Sequence, residues 1–234
     1  MNAPCNCHSH TPPAAPSVPM SVSAAIHRKI QLCGYGRSLD NTERMGVEQY
    51  RDYLCQLHQV VRASIPLMEL AVQRCDASHP VESQLIAYLT EHIEEERGHA
   101  ELLVRDLEAA GMPEAQLLLR VPDAAIAELV GAQYYWITHY SPLALLGYIS
   151  FLEGRPPTEQ AIAFWQTATG LPDAAFHSLR LHSEADPGHW QALDDFLDTL
   201  DLSAAEVELI GLSAMQSAQR AGAAWSGLVQ RWSH

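Results

Sequence analysis

Cysteine is scarce in this sequence and ends early. The five cysteines are Cys5, Cys7, Cys33, Cys55 and Cys75, and none occurs later in the chain. An odd number without even spacing does not make the disulfide framework of a small secreted protein. We therefore expect reduced thiols.

Long hydrophobic runs are also lacking. The longest run, around Pro142 to Leu152, is too short to cross a bilayer. The first residues lack the apolar core of a secretory signal. We therefore expect a cytoplasmic protein that does not enter a membrane.

Basic residues are few compared with acidic ones. The chain has 14 lysines and arginines against 28 aspartates and glutamates, which gives a formal net charge of −14. Such a balance provides no basic surface for nucleic acid or anionic lipid. We expect a small-molecule substrate, no nucleic-acid partner and no membrane partner, and the sequence allows a homodimer.

Strand patterns are absent as well. Residues 1–20 are rich in proline and carry the cluster Cys5-Cys7-His8-His10, so they predict a disordered tail in which a structural metal site is disfavoured. From about residue 21 to 234, apolar residues recur at helical spacing in a single helical domain. Turn residues divide this part into seven or eight helices. The predicted ranges are 22–32, 43–75 with a bend near 64–66, 81–110, 123–138, 142–153, 158–169, 173–200 with an interruption, and 203–232.

One spacing, His-x3-acid-x2-His, occurs twice. With 12 histidines and 28 acids, chance predicts roughly 0.07 such triplets. Positions i, i+4 and i+7 share one face of a helix, so each triplet can direct three ligands to one place. The first copy is His92, Glu96 and His99, and the second is His182, Asp186 and His189.

Imidazole and carboxylate donors without thiolate favour iron over manganese and over a structural zinc ion. Helical bundles build di-iron sites from such pairs on facing helices. An open hydrolytic zinc site remains an alternative. Two ions need a further carboxylate, and Glu153 is the candidate. It follows a strongly apolar helix, so it is either buried with a partner or located at the helix end beside Gly154.

From about Tyr50 onward, the chain resembles the haem-oxygenase-like di-iron oxidase and oxygenase family, whose relatives by fold include the TenA and PqqC proteins. The resemblance implies an all-α bundle that binds no haem. The segments that carry it are Tyr50-Arg-Asp-Tyr-Leu to Pro66-Leu-Met, Glu95-Glu96-Arg97-Gly98-His99-Ala-Glu-Leu-Leu, Leu146-Gly-Tyr-Ile-Ser-Phe-Leu-Glu153, and His182-Ser-Glu-Ala-Asp186-Pro-Gly-His189.

The family pattern implies two iron ions that activate dioxygen to oxidise a small organic substrate, of amino acid, amine or fatty acid type. The implied metal ligands are Glu96, His99, Glu153 as the bridge, His182, Asp186 and His189. The pattern does not require His92, which we place beside the metals or in the substrate pocket. Arg180, close to the ligand helix, is our candidate to bind a substrate carboxylate.

Other functions remain as alternatives. A metal-free TenA-like hydrolase of thiamin-related compounds needs an activated cysteine, and none follows Cys75. A haem oxygenase with His27 or His58 as proximal ligand leaves the triplets unexplained. A ferritin-like bundle requires two Glu-x2-His motifs, which the second triplet does not supply. A non-catalytic metal-binding helical protein is the remaining alternative.

Overall fold

The computed structural model of the protein describes residues 20–33, 45–154 and 156–232, without the side chains of Asp186 and Pro187. The Cys5-Cys7-His8-His10 cluster and nearly all of the predicted tail lie outside the described residues. Within those ranges every regular element is a helix, which agrees with the predicted all-α class.

Eleven α-helices form the described part of the chain. Short 3-10 turns precede α8 at Pro142–Ala144 and α10 at Asp173–Phe176. The helices are α1 Val22–Leu32, α2 Val47–Val61, α3 Ser64–Arg74, α4 Pro80–Glu95, α5 His99–Ala109, α6 Glu114–Leu118, α7 Ala124–His139, α8 Leu145–Glu153, α9 Glu159–Thr169, α10 His177–Thr199 and α11 Ala204–Trp232.

The helix count exceeds the predicted seven or eight because two predicted helices are divided and α6 was not foreseen. The expected bend near residue 64 is a break between α2 and α3. Pro66 lies in the first turn of α3. N–H groups in a first turn make no hydrogen bond within the helix, so proline is tolerated there. By contrast, α10 is continuous, and the predicted interruption is not found.

The central helix is α8, the most apolar segment of the chain. All of its residues except Leu152 are buried, and it packs against α10 and α11. At Gly147 the backbones of α8 and α11 are so close that a Cβ atom would lie 2.1 Å from the Ile210 carbonyl oxygen. Only glycine permits this approach, which fixes the position of α8.

Two hydrophobic clusters make up the described core. The larger contains Leu85, Leu146 and Ile210, and the smaller contains Tyr50 and Phe176. The ends of α4 and α8, the start of α5 and the middle of α10 come together beside these clusters. No helix in the described ranges is long and apolar enough to cross a membrane.

Candidate metal centre

Three buried side chains form the centre of the site. Ligand atoms of His92, Glu96 and Glu153 all lie within 4.8 Å of one another. The three residues are only 5%, 7% and 8% exposed. Burying two carboxylates this close together is costly unless cations or hydrogen-bond donors compensate. The arrangement is therefore suited to a metal ion.

A break in the helix, rather than helical spacing, positions His99. The α4 helix ends at Glu95, with Glu96 as its C-cap, and Gly98 adopts the left-handed conformation with φ of 88°. His99 then begins α5, and its Nδ1 lies 3.2 Å from Glu96 Oε2. The expectation that the first triplet shares one helix face is therefore wrong for His99.

Glu153 satisfies both interpretations that its sequence position allowed. It is the last residue of α8 and it is buried between two imidazoles. Its Oε1 lies 3.5 Å from His92 Nε2, and its Oε2 lies 3.6 Å from His189 Nδ1. However, Oε2 accepts no hydrogen bond from any described residue. A buried carboxylate oxygen in this condition is a candidate ligand atom.

The second triplet is carried by α10. The His182 ring lies edge-on to the His99 ring, with centroids 4.8 Å apart. The His189 ring lies edge-on to the His92 ring at 5.8 Å. The side chain of Asp186, the third member, lies outside the described residues. The histidines of this triplet thus lie against those of the first triplet, and His189 also approaches Glu153.

The charges of the cluster shift two pKa values. Burial lowers the pKa of His92, but hydrogen bonding and charge from Glu153, together with Glu96 and Glu95, outweigh it and raise the pKa above its usual value. Burial raises the pKa of Glu153, but His189 and His92 outweigh it and hold the pKa at about 2. At neutral pH Glu153 is therefore an anion, as a metal ligand must be.

An apolar cavity adjoins the cluster. Its volume is about 200 Å³, and His92, Glu96, Glu153 and His182 form part of its wall. Most of the remaining wall is aliphatic or aromatic and comes from α2, α3, α7, α8 and α11. These wall residues include Tyr53, Leu57, Val61, Met68, Ile126, Leu129, Leu145, Tyr148, Ile149, Phe151, Ala224 and Trp225.

Arg180, the predicted partner of a substrate carboxylate, is not among the residues that line this cavity. Its guanidinium donates to Gln166 Oε1 at 2.7 Å and, at 3.4 Å, to Asp173. It borders a separate depression together with Asp106 and His177.

Sequence reasoning did not find Glu95. Its Oε2 lies 3.2 Å from His92 Nδ1 and 3.9 Å from His189 Nε2. The i, i+3 spacing from His92 was the available signal, but glutamates flank the position on both sides, and spacing alone does not distinguish them.

The described cysteines do not form a nucleophilic site. Burial raises the pKa of Cys33, of Cys55 and, to about 12, of Cys75. None of these three lines the cavity. A thiol of raised pKa is a poor nucleophile at neutral pH, so these residues do not support hydrolysis of the TenA type.

The sequence model of one protein family, described as iron-containing redox enzyme, matches residues 51–223. A comparison with curated proteins finds no match. Among solved structures, the chain is similar to a protein of unknown function with a heme oxygenase-like fold from Shewanella denitrificans. The TM-score is 0.77 at 15% identity, over 89% of this chain and 92% of that chain.

Two further structures show the same fold. A TenA homologue from Pseudomonas syringae has a TM-score of 0.64 at 16% identity, over 89% of each chain. A CADD-like protein of unknown function from Nostoc punctiforme has a TM-score of 0.69 at 15% identity, over 90% of this chain and 97% of that chain. At these identities the likeness concerns the fold.

Proposed function

Since the chain belongs to the family of iron-containing redox enzymes and has the haem-oxygenase-like fold, we propose that it is a non-haem di-iron oxidase or oxygenase. It uses dioxygen to oxidise a small organic substrate. The iron-containing character of the family supports the metal, and the geometry of the cluster supports its location.

Glu153 is the observation that carries this proposal. The Glu153 carboxylate is 8% exposed and is held as an anion between two imidazoles. Its Oε2 accepts no hydrogen bond from any described residue. Native proteins rarely leave such an oxygen unsatisfied without a functional reason. A cation held by Glu153 would satisfy this oxygen.

The donor atoms support two ions rather than one. The described part of the cluster contains two carboxylates and four imidazoles. Glu96 lies beside His99, whose ring contacts that of His182, and Glu153 lies between His92 and His189. The residues that would hold the ions are Glu96, His99, Glu153, His182, Asp186 and His189. Ferrous ions in a shell of oxygen and nitrogen donors supply the electrons that activate dioxygen.

The protein contributes positioning and exclusion of water. The apolar wall of the 200 Å³ cavity binds the hydrocarbon part of a substrate and places it beside Glu96, Glu153 and His182. An engineered apolar cavity of about 150 Å³ holds benzene, so this volume suits a substrate body of about 6 to 10 non-hydrogen atoms. Such a wall also keeps bulk water away from the reacting group.

Iron binding and oxygen consumption test the proposal. The metal-free protein is loaded anaerobically with ferrous iron, the metal is counted, and oxygen uptake is then followed with an electrode. We expect about two irons per chain and rapid oxygen uptake. A double variant, His182→Ala with Asp186→Ala, should lose both.

His58→Ala is the matched control, because His58 is equally buried but does not line the cavity. It should bind iron and consume oxygen as the wild type does. A wild-type protein that binds no iron, or a double variant that binds and reacts normally, would falsify the proposal.

A further inference from the structure

We propose that His92 is itself a metal ligand through Nε2, and that Glu95 holds it in position. This adds a seventh protein ligand to the six that the resemblance implies. The inference rests on the proposed function, because it concerns the same metal centre.

The first support is the position of Nε2. It lies 3.5 Å from Glu153 Oε1, and both atoms belong to the group that also includes Glu96. With metal–ligand bonds of about 2.1 Å, two donors on one ion lie about 3 to 3.4 Å apart. His92 and Glu153 therefore need little movement to bind the same ion.

The second support is what occupies the other ring nitrogen. His92 Nδ1 lies 3.2 Å from Glu95 Oε2, so the N–H donates to that carboxylate. This bond selects the tautomer in which Nε2 has the lone pair that a metal ion needs, and Nε2 is the ring nitrogen that lies near Glu153. A carboxylate behind a ligand imidazole is the usual device that orients and strengthens a metal-binding histidine.

The third support is the fixed plane of the ring. Tyr88 stacks on His92 with centroids 5.7 Å apart and an interplanar angle of 14°. Phe196 from α10 also stacks on Tyr88, at 4.5 Å and 8°. The imidazole is therefore packed in its ligand orientation before a metal arrives, which lowers the entropic cost of binding.

His92 also balances the two halves of the centre. Glu96 already has His99 beside it, and the His182 ring contacts that of His99. Without His92, the Glu153 half would have His189 as its one described imidazole. With His92, each ion has a carboxylate and two imidazoles among the described residues.

Metal titration of variants tests the inference. The full-length protein, freed of metal, is titrated anaerobically with ferrous iron, and bound metal is counted after dialysis. His92→Ala should lower the affinity of one of two sites at least 100-fold, because the loss of even an outer partner of a ligand costs about 10- to 100-fold. Glu95→Gln should lower the same affinity about 10-fold.

Two controls keep the result interpretable. His58→Ala removes an equally buried imidazole elsewhere and should leave both affinities unchanged. Retained binding at the other site shows that the His92→Ala protein is folded around the centre, and added imidazole should restore the lost site.

In the cobalt-loaded wild type, the proton NMR spectrum should contain one more shifted, exchangeable imidazole signal than the spectrum of His92→Gln.

The outcomes separate this inference from the proposed function. Two sites in His92→Ala with affinities within threefold of the wild type, or no change in the cobalt spectrum, would overturn the role of His92 and leave the di-iron proposal intact. A wild-type protein that binds both metals but consumes no oxygen would overturn the proposed function and leave the ligand assignment intact.

Discussion

Two buried carboxylates of this protein, Asp106 and Glu153, have opposite surroundings. Asp106 is 1% exposed, and its Oδ2 accepts hydrogen bonds from the Ser178 backbone N–H, at 2.8 Å, and from the Ser178 hydroxyl. Glu153 is nearly as buried, but its Oε2 has no described hydrogen-bond donor, and its charge is balanced by imidazoles at ion-pair distances.

The difference separates a structural acid from a candidate functional one. Asp106 lies in α5 and caps the first turn of α10, whose own N-cap residue provides no side-chain bond. It therefore completes a helix start, where a carboxylate is favourable. Glu153 completes no element. It is held where a cation would be bound, and a cation that binds there stabilises the folded protein further.

The largest contrast should appear in metal binding. Glu153→Gln keeps the shape but removes the anionic ligand, so we expect the ferrous iron affinity to fall at least about 100-fold. Asp106→Asn still offers an oxygen to the Ser178 N–H and should bind iron within about threefold of the wild type. Anaerobic titration measures both variants. Equal losses of iron affinity in the two variants would show that Glu153 is no more important for metal binding than Asp106.

Acid stability of the metal-free protein should depend on Glu153. The pKa of Glu153 is about 2 in the folded protein, below the ordinary value of 4.5. Its contribution to the free energy of unfolding is therefore complete above pH 4.5 and is lost as the pH falls towards 2. The full contribution is about 3 kcal/mol. His92 has a raised pKa, so its contribution is complete below 6.5 and is lost as the pH rises through the folded value. Stability should therefore be greatest between about pH 4.5 and 6.5.

Urea unfolding in the presence of a chelator at pH 5.5 and pH 3 checks the acid side of this expectation. Between these two pH values the free energy of unfolding of the wild type should fall by about 2 kcal/mol more than that of Glu153→Gln. Asp106→Asn should behave like the wild type with respect to the Glu153 contribution. Parallel losses in the wild type and Glu153→Gln would show that Glu153 is not stabilised as an anion.

Removing the structural acid should affect stability rather than chemistry. In Asp106→Ala the Ser178 N–H and hydroxyl lose their buried acceptor, and the free energy of unfolding should fall by about 2 kcal/mol. Urea denaturation of the metal-free protein measures the loss. A change below about 0.5 kcal/mol would mean that water replaces the carboxylate and that Asp106 is not a required cap.

The smallest contrast concerns two buried tyrosine hydroxyls. Tyr50 Oη donates to the Ala175 carbonyl at 2.6 Å, so Tyr50→Phe should cost about 1 kcal/mol. Tyr148 lies beside the cavity, and its hydroxyl has no hydrogen-bond partner among the described residues. Tyr148→Phe should therefore change the free energy of unfolding by less than about 0.5 kcal/mol. Thermal or urea unfolding of the pair distinguishes them, and an equal cost would indicate an ordered water at Tyr148.

The sequence was sufficient for the helical class and for the neighbourhood of the site. Apolar spacing identified the long helices, and the repeated His-x3-acid-x2-His pattern identified two segments that the fold brings together. The pattern indicated residues that the fold brings together, but the reason given, a shared helix face, holds only in part. His92 and Glu96 approach each other through α4, but His99 reaches Glu96 because the chain turns at Gly98.

The remainder depends on tertiary contacts that one-dimensional spacing does not contain. The place of His92 in the cluster requires α8 to bring Glu153 towards it. Arg180 is near the proposed ligands in sequence, but Gln166 and Asp173 hold it beside a separate depression. The α6 helix, with five residues, is too short for periodicity to reveal.

The contact between α8 and α11 at Gly147 indicates where the cavity can be reshaped without moving Glu153. Glu153 lies six residues beyond Gly147 on the same helix, about 9 Å along its axis, so any bulk at Gly147 would displace the carboxylate. Redesign should therefore leave α8 unchanged. The cavity walls on α2 and α3, such as Val61 and Met68, belong to helices that carry none of the proposed ligands. Libraries built there would change what the cavity accepts while the candidate metal centre keeps its geometry.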